Sequence, residues 1–286
     1  MKYITKKDLV LKKRRPDSHK GDNGRLLIIG GSADYVGAPA LAAMAALRSG
    51  CDIAVIAAPE KVAWQINSFS PDLITKKIKG DSFDLIHSTA LVKEAERFDA
   101  ILIGNGMGTE PGTAKFVCRF VKALIEIEKP LILDADAIKI LGHDKHLLKE
   151  ANRILFTPHK KEFEILSGEN LPIVFEDSVE AAKNFIQKIN GNNVVLLKGR
   201  IDIIASKQNT LFNQTGNEGM TVGGTGDVLA GIAASLVAQK NDLFNSACAA
   251  AYVNGLVGDQ LMKRQGIGFT ASDMVPLIPQ VINKIR

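Results

Sequence analysis

Short apolar runs punctuate this chain, and longer Ala-rich stretches fill the intervals between them. Arg25–Gly30 (RLLIIG), Asp52–Ala57 (DIAVIA), Ala100–Gly104 (AILIG), Pro130–Leu133 (PLIL), Arg153–Phe156 (RILF) and Asn193–Leu197 (NVVLL) are apolar at consecutive rather than alternating positions. That is the pattern of strands buried on both faces, and such strands belong in a sheet covered by helices on each side. Helices are predicted at Ala38–Ser49, Gly112–Ile127, Ser178–Ile189, Asp227–Ala238, Leu243–Lys263 and Ser272–Lys284, with Gly50 closing the first and Ser178 and Ser272 as N-caps. Strand-helix alternation from residue 25 to about 200 implies right-handed crossovers and a mostly parallel sheet. Arg200–Ser206 and Thr210–Gln214, separated by Lys207-Gln208-Asn209, read instead as a hairpin on the sheet's edge. No Pro/Gly/Ser-rich linker, break in composition or internal repeat divides the chain, so residues 1–286 are expected to form a single α/β domain.

Composition narrows the class without naming it. With 46% hydrophobic and 23% charged residues among 286, the chain is ordinary globular protein, long enough for a full core. No apolar run approaches the roughly 18 residues of a spanning helix, and the N-terminus MKYITKKDLV is charged rather than signal-like, so a cytoplasmic protein without a membrane partner is expected. Cys51, Cys118 and Cys248 are scattered, odd in number and without metal spacing, which reads as buried thiols in a reducing compartment. A net charge of +5 and the basic cluster from Lys6 to Lys20 would allow nucleic-acid binding. Lysines elsewhere are interleaved with acids, and only one Trp and three Tyr are available for stacking. A small polyanion such as a dinucleotide explains the same charge, and nucleic acid is not expected as a partner.

The chemistry gathers in Gly223-Gly224-Thr225-Gly226-Asp227, a glycine turn that feeds an apolar helix. Glycines let successive backbone N–H groups converge on one point, and the helix N-terminus adds partial positive charge there, so the turn is a phosphate cradle. A carboxylate beside such a cradle is awkward for binding alone. It suits a base that takes a proton from a hydroxyl attacking the phosphate, although an Asp on a first helical turn also simply complements the dipole. Other unusual residues fall after predicted strands, where an open parallel sheet collects ligands: Gly30-Gly31-Ser32, Gly104-Asn105-Gly106-Met107-Gly108, Asp134-Ala135-Asp136-Ala137 and Thr157-Pro158-His159. Taken singly, each has a plain structural reading. Glycine turns close many strand-helix units, Asp134 and Asp136 could cap a helix rather than hold Mg²⁺, and His159 could be a satisfied loop histidine.

Spacing excludes two common nucleotide folds, since there is neither a G-x-x-x-x-G-K-[ST] nor a G-x-G-x-x-G opening the first helix. A late G-T-G-D opening a helix is instead the arrangement of ribokinase-like kinases. Ser18-His19-Lys20-Gly21 with Gly24, Gly37-Ala38-Pro39-Ala40, Gly104–Gly108, Asp134–Ala137, Thr157-Pro158-His159, Lys198-Gly199 and Gly223–Asp227, in this order, resemble the ADP/ATP-dependent NAD(P)H-hydrate dehydratases. The resemblance covers nearly the whole chain. It implies a ribokinase-like three-layer sandwich and a repair reaction: the S-form of NAD(P)H hydrate (NADHX or NADPHX) loses water at the cost of a nucleotide, by phosphorylation of the 6-hydroxyl and elimination of phosphate. Hydroxide leaves poorly near neutral pH and phosphate leaves easily, so a kinase fold can serve a dehydratase.

Carried over by position, the resemblance implies that Asp227 is the catalytic base. It places Ala38, Gly106, His159 and Asp227 against the hydrate, and Lys198, Gly199, Arg200, Ile201, Asp202, Gly224, Thr225 and Gly226 against ADP or ATP. Mg²⁺ is implied as cofactor without assignable ligands, a homo-oligomer is implied as the assembly, and epimerisation of the hydrate is expected from another polypeptide. Two departures stand out. Asn105 occupies a position where such loops commonly carry Pro, and Asn tolerates tight turns. Lys161 replaces a Gly after His159, which removes a permissive backbone position, while Lys160 and Lys161 are expected to face solvent. Two other readings stay open: a small-molecule kinase of the same fold acting on a hydroxymethyl group, and a nucleotide-binding regulatory protein without catalysis.

Overall fold

The computed structural model describes residues 1–286. Nine strands form one sheet: β1 (Arg25–Ile29), β2 (Ile53–Pro59), β3 (Ile74–Ile78), β4 (Ala100–Ile103), β5 (Leu131–Leu133), β6 (Ile154–Phe156), β7 (Val194–Leu197), β8 (Asp202–Ser206) and β9 (Thr210–Asn213). Their order is β3-β2-β1-β4-β5-β6-β7-β8-β9. Pairings from β3 to β7 are parallel, and β8 and β9 join antiparallel as the expected edge hairpin. The chain starts at β1, builds outward through β2 and β3, then returns to β4 on β1's other side. The topological switch point therefore lies between β1 and β4, and a crevice opens there at the strand C-termini.

Twelve α-helices accompany the strands: α1 (Gly37–Arg48), α2 (Glu60–Asn67), α3 (Ser88–Ala95), α4 (Pro111–Glu126), α5 (Ala135–Gly142), α6 (Lys145–Lys149), α7 (Lys160–Ser167), α8 (Phe175–Lys188), α9 (Thr225–Ala238), α10 (Leu243–Gln265), α11 (Ala271–Met274) and α12 (Ile278–Ile285). Alternate sheet residues face opposite layers. Leu26, Ile28, Leu102 and Ile132 join one core with α1, α9, α10 and α12, while Leu27, Ile29, Ile103 and Leu133 join the other with α3 through α8. Strands β4 to β7 are apolar throughout because both of their faces are covered.

Several expectations need correction. Ser178 lies inside α8, and its hydroxyl donates to the Pro172 carbonyl at 2.9 Å instead of capping. Ser272 likewise lies inside α11, and Thr270 is the N-cap, bonded reciprocally with Asp273. The predicted helix from Ser272 to Lys284 is broken into α11, a 3₁₀ turn at Val275–Leu277 and α12. Cys51 and Cys248 are buried, and burial pushes their thiols up to about 11 and about 12; Cys118 is only half-buried. Strand β3 escapes sequence reading because it is an edge strand carrying Lys76 and Lys77.

Helix α9 is buried around nearly its whole circumference, from Val228 to Ala238. It lies close against α1, because a Cβ at Gly231 would collide with the backbone of Ala42. Gly231→Val is therefore expected to destabilise the protein by about 2 kcal/mol or more in urea denaturation. Gly268→Ala, with open space around it, should stay within about 0.5 kcal/mol of the parent.

Candidate active site

The glycine turn forms the base of the crevice. Gly224 adopts φ +95°, and a side chain there would strike Ala271 and Leu41, so the turn requires glycine. The Thr225 hydroxyl points backward, donating to the carbonyls of Met220 (2.8 Å) and Val222 (3.2 Å), which fixes the start of α9. No protein group accepts from the backbone N–H groups of Gly224, Thr225, Gly226 or Asp227. Four unclaimed donors thus stand at a helix N-terminus, an arrangement that suits a phosphate.

Loops from five strands gather beside this turn. The loop after β1 is tied to the one after β4 by Gly31 N–H donating to the Asn105 carbonyl at 2.9 Å. The loop after β5 follows, with Asp136 N–H donating to Gly104, and Lys198 N–H reaches the Pro158 carbonyl at 2.8 Å to join the loops after β6 and β7. Gly106 has φ +62°, and a Cβ on it would press on Tyr35 and Ala38; the expected substrate positions Gly106 and Ala38 are therefore neighbours across the switch point.

A polar network runs through these loops. Asn105 Nδ2 donates to Asp227 Oδ1 at 2.7 Å and to Asp134 Oδ2 at 3.1 Å. Asp134 Oδ1 also accepts from the Thr157 hydroxyl at 2.7 Å and from Lys198 Nζ at 3.1 Å. Lys198 Nζ lies 3.9 Å from Glu162 Oε2, and that oxygen accepts from the His159 backbone N–H at 2.9 Å. Asp136 bonds separately, accepting from Gly108 N–H (2.9 Å) and Lys139 Nζ (2.8 Å).

Electrostatics follow from this arrangement. Burial, and then the negative charge of Asp134, push the Asp227 carboxyl up to about 6, against the opposing pull of Asn105 and Lys198. Burial pulls the Lys198 ammonium down, but the carboxylates of Asp134, Glu162 and Asp227 outweigh it and hold it above the ordinary lysine range. A carboxylate near 6 is mostly ionised at neutral pH yet basic enough to accept a proton.

The remaining expected residues fall into two groups. Lys198 and Gly226 stand together, since a Cβ on Gly226 would lie 3.5 Å from Lys198 Nζ. Gly199, Arg200, Ile201 and Asp202 occupy the turn from β7 into β8, with Gly199 and Arg200 exposed. The Asp202 carboxylate is engaged inside the hairpin, accepting from Gly199 N–H (3.0 Å) and Asn213 Nδ2 (2.9 Å), and burial pushes it up to about 6. His159 is the N-cap of α7: its Nδ1 accepts from Glu162 N–H at 3.2 Å, so the lost Gly at Lys161 is absorbed by a helix that begins directly after His159. Lys160 and Lys161 are exposed. Asp134 sits at the N-cap position of α5 without a capping bond, its oxygens accepting from Asn105, Thr157 and Lys198 instead. No three His, Cys, Asp or Glu side chains are arranged to hold a metal ion. Sequence reading gave Thr157 and Glu162 no role of their own and treated Asn105 only as a turn former; the signal for Asn105 and Thr157 lay in polar residues just past parallel strands.

A glycine turn opening a buried helix, at the switch point of a parallel sheet with an antiparallel edge hairpin, defines a ribokinase-like fold. Residues 26–280 match the NAD(P)H-hydrate dehydratase family, and the chain belongs to it. The bifunctional NAD(P)H-hydrate repair enzyme Nnr of Methanothermobacter thermautotrophicus is 46% identical over 272 residues, covering 94% of this chain and 52% of that protein. This chain spans about half the length of such bifunctional relatives. The ADP-dependent (S)-NAD(P)H-hydrate dehydratase of Cenarchaeum symbiosum is 37% identical, covering 94% of this chain and 92% of that one. In fold, the chain is similar to the ADP/ATP-dependent NAD(P)H-hydrate dehydratase of Bacillus subtilis co-crystallised with ATP/Mg²⁺, with a TM-score of 0.80, 24% identity and coverage of 100% and 99%.

An acid whose folded pKa is raised stabilises the fold below its unfolded pKa, and that stability is lost as pH rises through the folded value. Asp227 shifts from 3.8 to about 6. Asp227→Asn is therefore expected to be more stable than the parent at pH 8, by up to about 2–3 kcal/mol, with the difference vanishing near pH 4. Guanidinium melts of both proteins at the two pH values measure it.

Proposed function

We propose that this protein dehydrates the S-form of NAD(P)H hydrate at the expense of ADP or ATP, regenerating NADH or NADPH. The observation that carries the reading is Asp227: one carboxylate oxygen is held by Asn105, the other has no protein partner, and the residue stands beside four unclaimed N–H donors. In this reading the hydrate's 6-hydroxyl loses its proton to Asp227 as its oxygen attacks the terminal phosphorus of the nucleotide, and the bond from that phosphorus to the bridging oxygen breaks to release AMP from ADP or ADP from ATP. Gly224, Thr225 and Gly226 stabilise the charge on the transferring phosphoryl, and Lys198 adds a positive charge from the side. The ring nitrogen's lone pair then expels phosphate as the C–O bond breaks, and loss of a proton from the adjacent ring carbon restores the dihydropyridine. Ala38, Gly106 and His159 line the hydrate side, and Gly199 through Asp202 the nucleotide side.

Mg²⁺ would neutralise phosphate charge, held by the nucleotide's own oxygens and by water, because Asp134, Asp136 and Glu162 already accept from protein donors. We further propose that residues 1–286 act as one domain, assembled as a cytoplasmic homo-oligomer. No helix is long and apolar enough to cross a membrane.

Mixing the protein with NADH hydrate, Mg²⁺ and ADP or ATP is expected to restore absorbance from the reduced nicotinamide. A phosphorylated product without NADH would make the protein a plain kinase, and nucleotide binding without turnover a regulatory protein. Asp227→Asn is expected to lower kcat by about 10²–10⁴-fold while changing nucleotide affinity by only about threefold. For the active protein, kcat should fall toward acid pH with a midpoint near 6.

A further inference from the structure

The amide of Asn105 is fully buried at the switch point, between two carboxylates from different parts of the chain. Its orientation follows from chemistry alone. Ionised carboxylates only accept, so the –NH₂ end must face Asp134 and Asp227, and the carbonyl end turns away. Oδ1 consequently has no protein partner, a cost that a buried amide bears only where its N–H groups have stronger claims. The backbone of Asn105 is fixed as well, because its carbonyl accepts from Gly31 N–H at 2.9 Å. The amide is thus anchored at the crossing between β1 and β4 before it touches either acid.

We propose that Asn105 is a positioning residue of the reaction. It fixes the Asp227 carboxylate by Oδ1, so that Oδ2 is presented as the proton acceptor, and it couples Asp227 to the Asp134–Lys198 pair. An inference of this kind rests on the dehydratase reading above and extends it to a residue that touches neither the transferred phosphoryl nor the acid proton.

The groups around Asp227 show why a neutral double donor suits the place. Asp134 and Asp136 come from the segment after β5, Lys198 from the end of β7, and Glu162 from α7 lies behind Lys198. Among these, Lys198 is the one cation, and it bonds Asp134 and not Asp227. Nothing else in the protein donates to the Asp227 side chain. Without Asn105 the carboxylate would be buried beside a like charge with no hydrogen bond, free to rotate, to take up a proton, or both.

Asn105→Ala is expected to reduce kcat by about 10–100-fold while KM for the nucleotide changes by about threefold or less, because the cradle amides are untouched. The acid limb of kcat should move to higher pH by about one unit, since losing a hydrogen bond to the ionised form disfavours that form. Asn105→Ser, whose hydroxyl can serve one carboxylate but not both, should fall between the parent and Asn105→Ala in both readouts. A second measurement needs no substrate. In protein labelled with ¹³C at Asp carboxyls, with the Asp227 signal assigned by its loss in Asp227→Asn, the Asp227 titration should move up in Asn105→Ala by the same amount. An unmoved titration and an unmoved acid limb would overturn the proposal, as would a loss of kcat matched by a rise in KM with the pH profile unchanged. If the parent fails to dehydrate the hydrate while its Asp227 titration still responds to Asn105, the functional reading falls and the positioning of Asp227 stands.

Discussion

The site depends on one buried ion pair, Asp134 with Lys198. Asp134 is almost completely buried, and its oxygens accept from three side chains that arrive on three different loops. A buried carboxylate of this kind is tolerated only when it is paired and hydrogen-bonded, so each loop is drawn to the position where its donor meets an oxygen. Thr157 after β6, Lys198 after β7 and Asn105 after β4 thereby acquire fixed places around a residue that need not touch substrate. Ala135, next in the chain, has φ +46°, an unusual value for a residue with a Cβ and a sign that the backbone bends to serve the same point.

That pair also sets the chemistry of Asp227. Four carboxylates near one crevice would repel one another, and Lys198 offsets only part of that charge. Burial, and after it the uncompensated charge of Asp134, raises the affinity of Asp227 for a proton. A phosphate cradle works in the opposite sense, gathering unclaimed N–H donors on one side of the same residue. Asp227 therefore stands at the boundary between a negative network behind it and unclaimed N–H donors in front.

The fold was legible in the apolar runs because parallel strands covered on both sides leave no alternative pattern, and six of the nine were read from it. The hairpin was legible from Lys207-Gln208-Asn209 between two β-rich segments. Elements at the periphery were not. β3 carries charges because it has a single neighbour, and α5 and α7 begin inside Asp134–Ala137 and just after His159, segments whose chemistry reads as loop. The caps at Ser178 and Ser272 failed for a related reason, since each has a competing start a few residues upstream, and local propensity could not rank them.

By itself, the sequence determined the glycine turn, its carboxylate and the rim on which they sit, because a positive φ, a helix start and a buried strand each demand particular residues within a few positions. Tertiary structure alone decided what those residues do to one another. Asn105 and Asp227 lie 122 positions apart, and Asp134 and Lys198 lie 64 apart. No spacing rule reaches that far, so whether an asparagine serves a turn or bridges two acids depends on where the sheet's crossovers deliver it.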